Sequence, residues 1–195
     1  MRYGCTVNDL LTQSGLRKYL TPAERATFIA AAKLLKSRPA RSYCLTLVLT
    51  GARISEPLEI TPRHIDATAK TITLRTLKRR RLVFRTILVP DELLEIIELI
   101  HDTTNRKHAD QPLWPVDRAT AHRWVKDAMA LAGLSGPHAS AKGLRHGFAI
   151  AALEKNVPLN IVSRWLGHSN LQTTTIYANF TGAEERGLAA RMWAG

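Results

Sequence analysis

Cysteine is nearly absent, with Cys5 and Cys44 the only two in 195 residues. Two thiols build no disulfide framework, and their spacing from the histidines matches no zinc-ligand pattern; no metal or other cofactor is called for, and a reducing cytoplasm is the expected setting. Long apolar runs are missing too. No stretch is long enough to cross a bilayer and the N-terminus lacks the apolar core of a signal peptide, so no membrane partner is expected. Repeats, low-complexity tracts and linker composition are also absent, which leaves one domain able to bury its own core. Acids are scarce, with 16 Asp and Glu against 28 Lys and Arg and a formal net charge of +12. Such a surplus points to a polyanionic partner, with plain solubility as the competing explanation. Its placement is uneven: Arg75 to Arg85 holds six bases and no acid, while Asp91 to Asp102 holds five acids and no Lys or Arg. The charge is therefore sided.

What is present reads mainly as helix. Residues 1–20 show little periodicity and are expected as a short arm, with Leu10, Leu11 and Leu16 as a small packing patch. Thr21-Pro22-Ala23-Glu24 is a capping box with proline at the first helical position, predicting a helix from about Pro22 to Lys36 with Phe28, Ala31, Ala32 and Leu35 inward. Residues 40–50 are almost wholly apolar after Arg41, a buried helix ended by Gly51. Arg53 follows at once. A cation there must either be paired, for which Glu56 is available, or face a site. The period then changes: Thr71 to Leu74 and Leu82 to Val89 are rich in β-branched residues and predict a small antiparallel sheet near residues 70–90. Between them, Lys78-Arg79-Arg80-Arg81 with Arg75 is either a phosphate-contacting hairpin or a solvated turn. Asp91 to His101 predicts an amphipathic helix with an acidic outer face, and Leu113-Trp114 a packing anchor in the connection after it. Asp117 caps a helix to about Ala132, with Trp124, Ala128, Met129 and Leu131 inward. Its surface bases are Arg118, His122, Arg123 and Lys126, placed either on a nucleic-acid backbone or in solvent, with Arg123 and Lys126 singled out as DNA contacts.

The stretch from Lys142 to Asn179 reads as three short helices. The first gathers Lys142, Arg145 and His146 at its N-terminal end, where an anion can sit. Pro158 suits the first turn of the second, which buries Leu159, Val162, Trp165 and Leu166 and stops at Gly167, leaving His168 at the stop. Ser169 and Gln172 form a capping box for the third, which presents Tyr177 two turns later. A guanidinium, an imidazole and a phenol are thus expected near one another.

In this order and these contexts, Arg53, Lys78, Lys142, Arg145, His168 and Tyr177 resemble the catalytic domain of the tyrosine recombinases, the phage-integrase family. The likeness covers roughly Leu20 to Phe180. It is carried by Thr-Gly-Ala-Arg-Ile-Ser-Glu around Arg53, Gly-Leu-Arg-His-Gly-Phe around Arg145, and Leu-Gly-His-Ser followed by Tyr177 nine residues after His168. The resemblance implies an α+β fold, mainly α-helical with the small antiparallel sheet. It also implies site-specific DNA recombination without metal or nucleotide. Arg53 and Arg145 would hold the scissile phosphate, His168 would add a hydrogen bond, Tyr177 would attack phosphorus, and Lys78 would protonate the leaving 5′ oxygen. The implied partners are double-stranded DNA and, on DNA, three further copies of a chain that is monomeric when free.

The pattern is departed from twice. Where many members have His-x-x-Arg, this chain has Lys142-Gly143-Leu144-Arg145, so the imidazole of that motif is replaced by an ammonium. His138 and His146 lie close enough in sequence to be candidate replacements; the favoured expectation is a loop residue for His138 and a supporting packing or hydrogen-bonding residue for His146. Fewer than two dozen residues precede the first helix, so the expectation is a minimal form without the family's N-terminal DNA-clamping domain, with a catalytic unit over 21–182 and a tail over 183–195 docking on a neighbour or on its own body. The rival readings are a DNA-binding protein of the same fold without catalysis, a topoisomerase-like relaxer, and a basic RNA- or ribosome-associated domain.

Overall fold

The computed structural model describes residues 10–78, 81–168 and 172–177, and for 77, 78, 81, 82, 106 and 172 the backbone alone. The elements are α1 (Pro22–Leu34), α2 (Arg38–Thr50), β1 (Ile65–Asp66), β2 (Thr71–Lys78), β3 (Arg81–Leu88), α3 (Asp91–His101), α4 (Arg118–Leu131), α5 (Ala141–Glu154), α6 (Leu159–Leu166) and α7 (Gln172–Thr175). The strands form one antiparallel sheet in the order β1-β2-β3, with Ile72 opposite Ile87 and Leu74 opposite Arg85. The fold is the expected one, mostly helical with a small sheet.

Local chemistry sets most boundaries. Thr21 and Glu24 close a reciprocal capping box on α1. That helix stops at Leu34 rather than Lys36, because Ser37 caps the Ala40 amide and starts α2 two residues earlier than its apolar run. Gly51 and Gly167 end α2 and α6 in the left-handed conformation, at φ 64° and 65°. Pro158 stands at the N-cap of α6 instead of within its first turn. The third helix of the closing stretch is one turn, so Tyr177 follows it rather than riding on it; Ser169 lies outside the described residues.

The main core joins Phe28 and Ala32 of α1, Tyr43 and Leu47 of α2, Ile72, Leu74 and Ile87 of the sheet, Leu93 and Ile97 of α3, and Val125 and Met129 of α4. Trp114 anchors the connection after α3, its indole N–H donating to Pro39 O at 3.0 Å. A smaller core gathers Ala149 and Ile150 of α5, Val162 and Leu166 of α6, and Tyr177. Leu10 is buried in it and Leu20 in the main core, so the described part of the expected arm packs on the body, although Leu16 is exposed. Leu131 is corrected as well: expected inward, it is 54 % exposed at the last residue of α4. The expected tail, 183–195, lies outside the described residues. Among the described residues no helix is long and apolar enough to cross a membrane.

Candidate active site

The site begins where α2 stops. A Cβ at Gly51 would lie 2.5 Å from the Phe148 ring, so both the backbone angle and the close approach of α5 require glycine. Just beyond, Glu56 folds back on Arg53, accepting its backbone N–H at 2.7 Å and its guanidinium at 2.9 Å. The Arg53 side chain is 44 % exposed and that of Glu56 only 6 %, so the buried charge is the carboxylate. Its main partner is Arg85 of β3, equally buried, which holds both carboxylate oxygens in a forked pair, with Thr76 Oγ1 donating to one of them at 2.8 Å. Burial alone would raise the Glu56 carboxyl; the hydrogen bonds and charge of Arg85, with the Arg53 amide, outweigh it and bring it down to about 2.

Arg145 leaves the first turns of α5, capped by Ser140, and is 7 % exposed. Its guanidinium donates to Gly51 O at 2.8 Å and Leu166 O at 2.6 Å, the carbonyl ends of α2 and α6. Burial, then the nearby Arg53, lowers its pKa to about 10, which leaves it charged at neutral pH. His168 follows Gly167, and its Nδ1 lies 2.8 Å from the buried Thr174 hydroxyl. Burial, then the positive charges of Arg145, Arg53 and Arg85, lower it to about 4, so the ring is neutral at pH 7. In the tautomer that accepts the Thr174 hydroxyl at Nδ1, the ring proton is on Nε2, available to a ligand.

Tyr177 is 2 % exposed, and its hydroxyl lies 2.8 Å from Nδ1 of His146. Arg53, Lys142, Arg145, His146, His168 and Tyr177 line one cavity of about 470 Å³, with Arg118 and His122 of α4 on its wall. No carboxylate lines it among the described residues, so the cavity suits a small anion. Among the described residues no group of three or more His, Cys, Asp or Glu is placed to hold a metal ion.

A sequence profile described as the phage integrase family matches residues 18–184. The chain belongs to this family. Similar relatives include a tyrosine recombinase of Thermosipho africanus, 27 % identical over 86 % of this chain and 59 % of that protein. The tyrosine recombinase XerA of Pyrococcus furiosus is 31 % identical over 85 % of this chain and 58 % of its own length. Among solved structures, the XerH site-specific recombinase bound to palindromic difH substrate, a post-cleavage complex, aligns over 100 % of this chain and 60 % of that one with a TM-score of 0.74 and 22 % identity. The chain thus spans less than two thirds of the length of the relatives it matches.

For a phage integrase family member, the described residues collect most of the sequence-derived candidates and scatter others. Five of the six principal ones, far apart in sequence, meet at the cavity. Lys78 ends β2, opposite Arg81 across the hairpin; both are described as backbone only, and Arg79 and Arg80 lie outside the described residues. Arg75, expected on DNA, pairs with Glu59 at 3.2 Å. Of the α4 bases, Arg123 bonds Thr120 of its own helix and Lys126 donates to Ala139 O at 3.1 Å, bracing the loop before α5. The wall is instead formed by Arg118 and His122, one turn apart. Arg85 is the residue the sequence reading missed. A signal was present, since alternation along β3 sets Arg85 on the same face as the buried Ile87.

Proposed function

We propose that this chain carries the catalytic machinery of a site-specific DNA strand transferase, which cleaves and rejoins DNA through a 3′-phosphotyrosyl link. The observation that carries the reading is the shared cavity of Arg53, Arg145, His168 and Tyr177. A phosphodiester resists attack until the charge on its nonbridging oxygens is neutralised. Arg53 reaches those oxygens from the solvent side and Arg145 from the buried side, each with N–H groups beyond those engaged in the fold. Neutral His168 donates a further hydrogen bond, and Lys142 adds positive charge at the rim. Tyr177 attacks phosphorus; Lys78 is the general acid for the departing 5′ oxygen. The ester keeps the energy of the broken bond, so a 5′-hydroxyl of another strand reverses the step, with no metal or ATP required. The substrate is double-stranded DNA, in keeping with the XerH relative bound to palindromic difH substrate; strand exchange is carried out by a tetramer on two sites. Arg75 and Arg79 to Arg81 contribute phosphate contacts from the hairpin, and integration, excision or inversion is the outcome.

The test is covalent capture on nicked DNA duplexes. Wild type forms an adduct that survives denaturing electrophoresis, whereas Tyr177→Phe binds the same DNA without one. Two observations favour a second reading, a DNA-binding protein of this fold without strand cleavage: Lys142 replaces histidine, and the Tyr177 hydroxyl is buried and already hydrogen-bonded. Retained binding with no adduct from wild type would select it.

A further inference from the structure

The contact between Tyr177 and His146 carries more than packing. A phenol delocalises its oxygen lone pair into the ring and is a strong donor but a weak acceptor, whereas an unprotonated imidazole nitrogen is a strong acceptor. The favoured polarity of the 2.8 Å bond is therefore from the Tyr177 O–H to Nδ1 of a neutral His146. Lys142 and Arg145 on its own helix, Arg53 beyond α2, and Arg118 and His122 of α4 share its cavity, with His168 beyond α6. Arg25 of α1 packs beside the next residue, Gly147. Among the described residues four of the groups at the cavity are cations and none is a carboxylate, so an anion is what this cavity suits. A charged Lys142 has donors and no acceptor, so it has no place for the phenolic proton.

We infer that His146 is the general base of strand cleavage, taking the role that Lys142 cannot fill. The assignment rests on the strand-transfer reading above and deepens it. As the Tyr177 oxygen bonds to phosphorus, its proton passes to His146 Nδ1. The P–O5′ bond breaks, its electron pair stays on O5′, and the Lys78 ammonium protonates that oxygen to a 5′-hydroxyl. The DNA phosphate supplies negative charge beside the imidazolium that forms. In religation the imidazolium returns its proton to the departing Tyr177 oxygen and the Lys78 amine removes the one on the 5′-hydroxyl.

The test uses nicked duplexes with a randomised core, read under single-turnover conditions as covalent adduct, for wild type, Tyr177→Phe, His146→Ala and His146→Gln, each checked for folding by its melting temperature. Glutamine can still accept the Tyr177 hydrogen bond but cannot take the proton. Both His146 variants should lose about 10²- to 10⁴-fold in rate with noncovalent binding retained. Added imidazole should restore part of the rate of His146→Ala, and the decline of the wild-type rate toward acid pH should vanish in both variants. A wild-type rate in His146→Gln, a His146→Ala rate at or above wild type, or a loss without imidazole rescue and with an unchanged pH profile would each overturn the assignment. An arm independent of turnover is ¹⁵N NMR of His146 in the DNA-free protein: unprotonated Nδ1 supports the assignment and a proton on Nδ1 overturns it. Absence of adduct from wild type would count against strand transfer itself, and the nitrogen shifts would still read the polarity of the bond.

Discussion

Replacing Arg85 by alanine would remove both hydrogen bonds to Glu56 and the bond from its Nε to Trp165 O at 2.7 Å. Glu56 would then be left at 6 % exposure with the half-exposed Arg53 as its remaining cation. Breaking a buried ion pair from one side costs about 3–5 kcal/mol. The surviving bonds from the Arg53 amide and guanidinium and from Thr76 place the expected loss at the lower end, about 3 kcal/mol. At about 2–4 °C per kcal/mol for a chain of this size, Tm should fall by about 6–12 °C. Arg85→Lys keeps the charge but not the planar fork or the bond to Trp165, and should lose about 1–2 kcal/mol. Glu56→Leu alone strands the arginine, whereas the double variant Arg85→Met, Glu56→Leu should recover most of either loss, because the desolvation of both charges goes with them. Urea and thermal unfolding of wild type, Arg85→Met, Glu56→Leu and the double give the coupling energy directly. An Arg85→Ala protein within about 1 kcal/mol of wild type would refute the claim that this pair braces the site.

Acid should destabilise the fold in two stages. Burial holds His101 and His168 at about 4, below their ordinary 6.5, so stability is complete above about 6.5 and is lost as pH falls toward 4. Glu24, held down by the Arg17 hydrogen bond, and Glu56 both titrate at about 2 instead of 4.5, which extends the loss from 4.5 toward 2. A flat urea-derived stability between pH 6.5 and 4 would contradict the first stage. Gly143→Ala ordinarily stabilises a helix, but here the new Cβ would lie 1.9 Å from His138 O, so the expected result is a loss of about 1–3 kcal/mol, read as a lower Tm. Lys142→Ala should slow adduct formation while leaving noncovalent DNA binding largely intact; unaltered cleavage kinetics would remove this residue from the site.

Features encoded within four or five residues were legible from sequence. The Thr21–Glu24 box, the Asp117 cap and the stops at Gly51 and Gly167 are local hydrogen-bond and φ problems with local answers, and the structure solves each at the expected position. The meeting of Arg53, Arg145, His168 and Tyr177 was anticipated by motif order, and no periodicity would have shown it. Arg85 was hidden because it closes a basic run, where a cation reads as solvated, and its burial depends on Glu56, 29 residues earlier. Arg53 was read as the charge in need of a partner when the buried member is the carboxylate, since exposure beyond a helix end is decided by packing that the sequence does not spell out. The α4 bases illustrate the same limit: four lie on one helix, and which two face the cavity depends on how α4 is rotated against α5.

Arg145 is bonded to the last carbonyls of two helices as well as facing the cavity. Its loss would leave Gly51 O and Leu166 O, at the ends of α2 and α6, without the donor they share, whatever the cavity does. Survival of that arginine in a distant homologue is therefore poor testimony to activity. The tyrosine hydroxyl makes a better witness, since a phenylalanine there would fill the same hollow and give up the bond to His146 together with the proposed nucleophile.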